Sequence, residues 1–349
     1  MILSDLTLTH FRSYTKRVFT FSPTTTLIVG PNTSGKTNIL EAIMMLSTGK
    51  SFRADTDREI IAWGQELGRV KATTGDTKLE FLVTTGFVAG KKAPLKKYLV
   101  NGVTRRQVDF VGNLRAVLFW PEHLELITDS QYLDSVLVQV DREYRRNLMS
   151  YERGLRQRNR LLDLINEGKA SRNQLLFWNQ LLIRAGGYLT DARVRFIEFI
   201  NNYQLSLPRR QAGIINYQLT YDKSVISESR LEQYKDEEVA AKATLVGPHR
   251  DDFLVTKNAL DLSKYGSRGE QRLAILWLKL AELAYIEKES GERPLLILDD
   301  IFSELDAEHR ILILDLLGKQ QTIVSSAEEE VVALFKKHKI PAEIIRLSV

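Results

Sequence analysis

The chain has 349 residues, 49 Lys and Arg against 44 Asp and Glu, and no cysteine, which excludes a disulfide framework, a thiolate metal site and a cysteine nucleophile. A formal charge of +5 and a pI near 9.1 point weakly to a polyanionic partner. The length suffices for a sizeable core in one or two domains. No apolar run is long enough to cross a bilayer, no repeat or low-complexity tract is evident, and Met1-Ile2-Leu3-Ser4-Asp5-Leu6 lacks the basic region and cleavage site of a signal peptide. A cytoplasmic protein without a membrane partner is expected.

The first element expected is a strand, from the alternation of Ile2, Leu6 and Leu8 with Thr7, Thr9 and His10. Thr26-Leu27-Ile28-Val29 reads as a buried strand, and Asn38 to Leu46 is apolar at helical spacing. Between them, Gly30-Pro31-Asn32-Thr33-Ser34-Gly35-Lys36-Thr37 fits G-x-x-x-x-G-K-[ST], the phosphate-binding loop. Glycines let backbone N–H groups curl around phosphate oxygens. Lys36 reaches the outer phosphates in such a loop, and Thr37 places a hydroxyl on Mg²⁺. Asn38 follows directly, and the helix N-terminus aims at the anion. ATP and Mg²⁺ are therefore the expected cofactors.

Strands follow at Lys78 to Val83 and Tyr98 to Val103, with a basic turn over Ala89 to Pro94 and a hairpin signal at Asn101-Gly102. From about Ser130 the chain turns helical, over Tyr144 to Ile165, Gln174 to Leu189 and Asp191 to Tyr203. Leu207-Pro208-Arg209-Arg210 breaks the pattern, Gly213 to Thr220 alternates like a strand, and Glu228 to Ala243 is polar and helical. Three parts are expected: an N-terminal ATPase lobe over 1–129, a helical arm over 130–243, and the rest of the ATPase core over 244–349.

The last part carries three further motifs. Leu295 to Asp300 reads as a Walker B strand, delivering Asp299 to Mg²⁺ and Asp300 as the carboxylate that orients water or acts as base. Ser267-Arg268-Gly269-Glu270-Gln271 opens a helix and resembles the signature motif of ABC-type ATPases. Ser267 and the Gly269 N–H at a helix N-terminus make an anion site. Ser267 with Glu270 is also a capping box, and both readings can hold. Ser303-Glu304-Leu305-Asp306 resembles the D-loop of that class, and Ser303 with Asp306 again fits a helix cap.

Together these strings resemble the RecF family of ABC/SMC-like heads: Leu6 to Tyr14, Gly49-Lys50-Ser51-Phe52-Arg53, Phe119 to Leu126, Arg142 to Leu162, Val246-Gly247-Pro248-His249-Arg250-Asp251-Asp252, and Asp299 to Asp306. The resemblance implies an α/β fold, an ABC-type P-loop ATPase head with a mixed sheet around the loop helix and an inserted helical arm. It implies ATP sandwiched between two subunits, with Lys36 and Thr37 of one copy facing Ser267 and Gly269 of the other. Asp306 would lie across the dimer interface. Lys36, Asp300 and Ser267 are the expected catalytic residues. Arg53 either adds charge on the phosphates or caps a helix end. Slow hydrolysis, stimulated by DNA, would release an ATP-driven homodimer. The family also implies recombinational repair on single- and double-stranded DNA and gap junctions, with RecR and RecO as partners and RecA loading as the outcome.

Thr128 to Asp134 departs from the family in lacking the usual Pro and paired Arg, and Thr322-Ile323-Val324-Ser325-Ser326 has no histidine where many ABC ATPases carry one on the final strand. No glutamine marks a Q-loop. Basic candidates for DNA are Lys91, Lys92, Lys96, Lys97, Arg105, Arg106, Arg145, Arg146, Arg153, Arg156, Arg158 and Arg160, with Arg146, Arg153 and Arg160 at seven-residue spacing. A solvated helical face explains any one of them equally well. His249-Arg250 reads as an active-site or interface element, or as packing paired by Asp251 and Asp252. Competing classes are an SMC-like structural or nuclease-associated ATPase head, and a transporter ATPase.

Overall fold

The computed structural model describes residues 2–120, 131–203, 217–304 and 307–348. Expectations resting on Pro121 to Leu126, Thr128 to Ser130, Leu207 to Arg210, Gly213 to Asn216, Leu305 and Asp306 lie outside those residues. The chain divides into two compact units, Met1–Leu124 with Ile275–Val349, and Glu125–Ala274.

In the first unit, a six-stranded antiparallel sheet runs in the order Tyr14–Thr20, Leu3–Phe11, Leu67–Thr74, Thr77–Thr84, Lys96–Val100 and Val103–Arg105. Short turns join most neighbours, and Asn101 (φ 52) with Gly102 (φ 77) makes the two-residue turn that matches strand twist. In the first strand Leu3, Leu6, Leu8 and Phe11 point inward while Ile2 is exposed. Alternation alone places Ile2 inside. A register shift between Leu3 and Asp5 and a left-handed His10 (φ 47) each reset the parity.

The second sheet of this unit has five parallel strands in the order Ala116–Phe119, Leu295–Asp299, Thr322–Ser326, Thr25–Val29, Glu343–Arg346. Its central strands are buried throughout, as expected when both faces are covered. The loop helix Lys36–Thr48 touches strands of both sheets. That explains why its residues from Ile39 to Ser47 are all buried rather than forming one apolar stripe. Gly49 (φ 76) ends it, returning its N–H to the Met45 carbonyl.

The second unit is built on helices Gln131–Val140, Arg142–Asn166 and Leu176–Asn202, a three-stranded antiparallel sheet (Tyr217–Asp222, Asp252–Lys257, Leu260–Asp261) and short helices at Glu228–Gln233 and Lys235–Ala241. Asp141 caps the second helix by accepting the Tyr144 N–H at 2.9 Å. The expected break near Thr190 is absent. Leu182, Ala185, Leu189, Ala192, Phe196 and Ile200 form one buried stripe across it, and a continuous stripe holds a continuous helix. The segment 244–274, grouped by sequence with the C-terminal core, packs in this unit. The Leu245 N–H donates to Glu238 at 2.9 Å, and Thr244 bonds Asn159 and Arg158.

Candidate active site

Strand order fixes the first unit's site. Thr25–Val29 and Leu295–Asp299 flank Thr322–Ser326, and all three run the same way. The phosphate loop, Asp299-Asp300 and Ser325-Ser326 therefore emerge together at the carboxyl ends, where open α/β sheets bind ligands.

The loop is tightly braced. Gly35 has φ 93, and a Cβ there would meet the Tyr14 hydroxyl at 2.6 Å. Tyr14 donates from that hydroxyl to the Gly35 carbonyl at 3.2 Å. A Cβ on Gly30 would meet the Leu347 carbonyl at 2.7 Å. Lys36 Nζ donates to the carbonyls of Gly30 at 2.7 Å and Pro31 at 3.0 Å, so the ammonium curls over the loop. Burial lowers its pKa, opposed by Asp300 and Asp299. The Ser34 hydroxyl is buried with no hydrogen-bond partner, an orphan that an entering oxyanion would satisfy.

The two residues expected to hold Mg²⁺ meet: Thr37 hydrogen-bonds the Asp299 carboxylate, which also accepts from the Ser325 hydroxyl. Burial raises the Asp299 pKa, Asp300 adds to the rise, and the Ser325 and Thr37 bonds oppose it. Such a carboxylate in want of a counter-charge fits a divalent cation. Asp300 is left-handed (φ 49), a conformation non-glycine residues avoid, and its N–H donates to the Ser325 carbonyl and hydroxyl, each at 3.1 Å. Ser325 thus ties the Asp299 carboxylate and the Asp300 backbone. Ser326 bonds Glu328, so both serine hydroxyls are engaged within the fold.

Three residues here were given no site role by the sequence. Glu41, fully buried on the loop helix, takes a two-pronged bond from Arg12 at 2.6 and 2.9 Å and another from Ser51. Arg12 is pushed up chiefly by that bond. Arg53 lies beside the same group: it donates to the Asn38 side chain at 3.2 Å and sits 3.9 Å from Glu41. It thus reaches the first turns of the loop helix rather than capping the end. Arg12 and Tyr14 lie in the Leu6 to Tyr14 string of the family resemblance, which gave them no role at the site, and only a buried charge among apolar helix residues signals Glu41.

In the second unit, Ser267 caps helix Arg268–Ser290. The Glu270 N–H reaches its hydroxyl at 3.3 Å, and the Glu270 carboxylate accepts the Ser267 N–H at 3.0 Å. Lys257 first, then Ser267, hold the Glu270 carboxyl down to about 2. A Cβ on Gly269 would meet nothing within 4 Å. Glycine costs a helix about 1 kcal/mol against alanine, and no neighbour among the described residues requires it there. The D-loop residue Asp306 lies outside the described residues.

The 246–252 run is a packing hub. Arg193 donates to the Pro248 carbonyl at 2.7 Å and to Asp251 at 2.9 Å, and Tyr221 also donates to Asp251. His249 is paired not by Asp251 or Asp252 but by the Tyr151 hydroxyl at 2.8 Å and the Thr244 carbonyl at 3.0 Å. A carbonyl only accepts, so Nε2 carries the proton and Nδ1 accepts, consistent with burial lowering this imidazole. Arg158, expected at the DNA face, is instead buried, bonding Glu238 at 2.6 Å, Asn179 at 2.7 Å and Thr244 at 2.9 Å. Arg153, Arg156 and Arg160 are exposed, while Arg146 pairs with Glu143 at 2.7 Å.

This fold, with a phosphate loop set against a carboxylate-tipped strand, defines a P-loop ATPase head of the ABC/SMC kind. The family model for the RecF/RecN/SMC N-terminal domain matches residues 2–340. The chain is 34% identical over 335 residues to the DNA replication and repair protein RecF of Lachnoclostridium phytofermentans, covering 93% of this chain and 92% of that one. It is 35% identical over 367 residues to the RecF of Roseiflexus castenholzii, covering 93% of each. A solved structure of the recombination mediator protein RecF-ATP in the RecFOR pathway superposes with a TM-score of 0.83 at 29% identity, covering 94% of this chain and 92% of that one. The chain belongs to the RecF family of DNA replication and repair proteins. No helix among the described residues is long and apolar enough to cross a membrane.

Proposed function

We propose that this protein is an ATP-dependent DNA-binding protein of recombinational repair and replication-fork maintenance. It binds single-stranded, double-stranded and gapped DNA, dimerises on ATP, hydrolyses ATP slowly with DNA stimulation, and with RecO and RecR assists RecA loading. The observation that carries the ATPase reading is the meeting of Thr37 with Asp299 beside a loop whose Ser34 hydroxyl lacks a partner. The bound RecF-ATP relative supports ATP as the nucleotide, and family membership supports the repair role.

The chain's own residues do the following. The loop over Gly30 to Asn38 cradles the phosphates with its backbone N–H groups, except Pro31, which has none, and Gly30, Ser34 and Asn38, whose N–H groups donate to the Ser326, Pro31 and Gly35 carbonyls. Lys36 leaves its two carbonyls to meet the outer phosphates. Thr37 and Asp299 hold Mg²⁺, which when bound neutralises phosphate charge. Asp300, fixed by Ser325, orients the attacking water. Arg53 lies at the mouth of the first helical turn, where its charge adds to the site once it leaves Asn38. Ser267 and Gly269 of a second copy close over the nucleotide, with Asp306 at that interface. Catalysis is then positioning plus charge stabilisation. In this reading 1–129 and 244–349 supply the ATPase parts and 130–243 the arm.

Sedimentation with and without Mg-ATP and gapped DNA tests it, beside Lys36→Met and Ser267→Arg. ATP-driven dimerisation and DNA binding, lost in both variants, is the expected result. A wild type that stays monomeric and binds DNA equally well without nucleotide sinks the ATP switch. ATP hydrolysis indifferent to DNA favours a transporter-like head.

A further inference from the structure

Trp63 is fully exposed, at 100% of its accessible surface. It stands at the tip of a turn in which the Gln65 N–H returns to the Ala62 carbonyl at 3.0 Å and Gly64 adopts φ 75. Nothing in its own unit covers it, yet the turn is anchored: the Ala62 N–H donates to His10 at 2.9 Å. The neighbouring hairpin presents a second exposed aromatic, Phe87, at 56%. Phe87 pairs across the hairpin with Lys92, and Val88 with Lys91. Directly opposed residues of an antiparallel pair share a face, so an aromatic ring and an ammonium stand side by side. Ala89 (φ 49) and Gly90 (φ 73) close the hairpin as a tight turn.

Both features leave the same end of the six-stranded sheet on adjacent strands, because Leu67 pairs with Thr84. They are also clamped together. The Thr85 N–H donates to the Glu66 carbonyl at 3.0 Å, and the Ala89 N–H to the Glu66 carboxylate at 2.7 Å. Around them Arg58, Lys91, Lys92 and Lys97 are exposed. Of the nearby carboxylates, Asp57 is neutralised by Lys96 at 2.5 Å, while the exposed Glu59 and Glu66 accept from Thr56 and from the Ala89 N–H, which are uncharged, and keep their charge. Asp55 is exposed as well. The four exposed cations exceed these three exposed carboxylates by one, and the result is a braced, weakly cationic surface bearing two aromatic faces.

We propose that this sheet end, through Trp63 and Phe87 with Arg58, Lys91, Lys92 and Lys97, binds single-stranded DNA by stacking its unpaired bases. The inference rests on the DNA-binding function proposed above and names which part of a gapped substrate this surface takes. Cations alone serve any phosphate backbone. Exposed rings gain only from bases whose faces are free, which a duplex hides. The occupant is therefore an unpaired strand, and positive charge matches its backbone.

The test titrates full-length protein with Mg-ATP against labelled oligothymidylate and against a duplex of equal length, for wild type, Trp63→Leu, Trp63→Tyr and Phe87→Leu. Trp63 makes no packing contact that folding needs, and an unchanged melting curve confirms intact variants. Trp63→Leu is expected to weaken oligothymidylate binding about tenfold with duplex affinity unchanged, and Trp63→Tyr to regain most of the loss. Equal losses on both DNAs, or none on either, overturn the proposal. So does retained DNA affinity with lost capture of a protein partner, which makes the patch a protein-docking surface. A wild type that binds neither DNA overturns the DNA function itself, a separate outcome from failure of the stacking site.

Discussion

At the scale of single residues, Asp299 shows chemistry set against stability. Its carboxyl is buried on a strand end and its pKa is raised, first by burial and then by Asp300. A raised acid pKa means the ionised form is disfavoured in the fold. The cost is full above the folded value and vanishes below the ordinary carboxylate value, where both folded and unfolded chains are protonated. Asp299→Asn should therefore raise the melting temperature of the metal-free protein at neutral pH, and the gain should shrink to nothing on acidification. Thr37 and Ser325 can still bond the amide. The same variant should lose Mg-ATP hydrolysis. Thermal melts across pH without magnesium check the first half; a destabilised variant at neutral pH refutes the assignment. Ser325→Ala is expected to slow hydrolysis at least tenfold with little change in nucleotide affinity, because it removes the hydroxyl that donates to the Asp299 carboxylate and one of the two acceptors of the Asp300 N–H, while the carbonyl bond and the loop stay in place. Single-turnover assays separate that from lost binding.

Among the elements, the arm helix Arg142–Asn166 carries arginines of two kinds on adjacent faces. Arg158 lies inside against Glu238; Arg153 and Arg160 face solvent. Arg158→Ala leaves a buried carboxylate without its cation, which costs about 3–5 kcal/mol and should lower the melting temperature sharply. Arg153→Ala with Arg160→Ala should barely move it. That pair should instead reduce the salt dependence of DNA binding, by about one per contact in the slope of log affinity against log salt. Equal melting losses in both sets contradict the two-face description. Composition could not separate these arginines. The seven-residue spacing correctly groups Arg146, Arg153 and Arg160, but Arg158 is placed inside by partners more than 20 residues away in sequence. The phosphate loop was legible because strand, glycine loop and helix are contiguous and each is locally encoded. The Arg12–Glu41 bond and the Ile2–Leu3 inversion were not, because one depends on two elements meeting and the other on a bulge that only pairing reveals.

At the scale of the whole molecule, the loop strand Thr25–Val29 takes its neighbours from the far end of the chain, Thr322–Ser326 and Glu343–Arg346. The Leu347 N–H donates to the Val29 carbonyl at 2.8 Å, beside Gly30. Removing the chain from Pro341 onward should expose that strand's edge and abolish ATP binding as well as lower the melting temperature. Calorimetry with ATP on the shortened protein checks this, and unchanged affinity would show that Glu343–Arg346 does not brace the loop. The two walls of the site could be read from their motifs. That the last strand packs directly on the loop strand could not, because Glu343 to Arg346 carries no signature beyond a short apolar pair.

The same strand order governs what a ribosome can make. The phosphate loop leaves the exit tunnel early, but both strands that flank it are synthesised last. At ordinary elongation rates the interval is roughly a quarter of a minute to a minute. Throughout it the loop strand has no permanent neighbours, an open edge of Thr-Thr-Leu-Ile-Val of the kind that invites wrong pairing. A nascent chain therefore has no nucleotide site until its final strands arrive. An interrupted chain is left without a nucleotide site rather than with half of one.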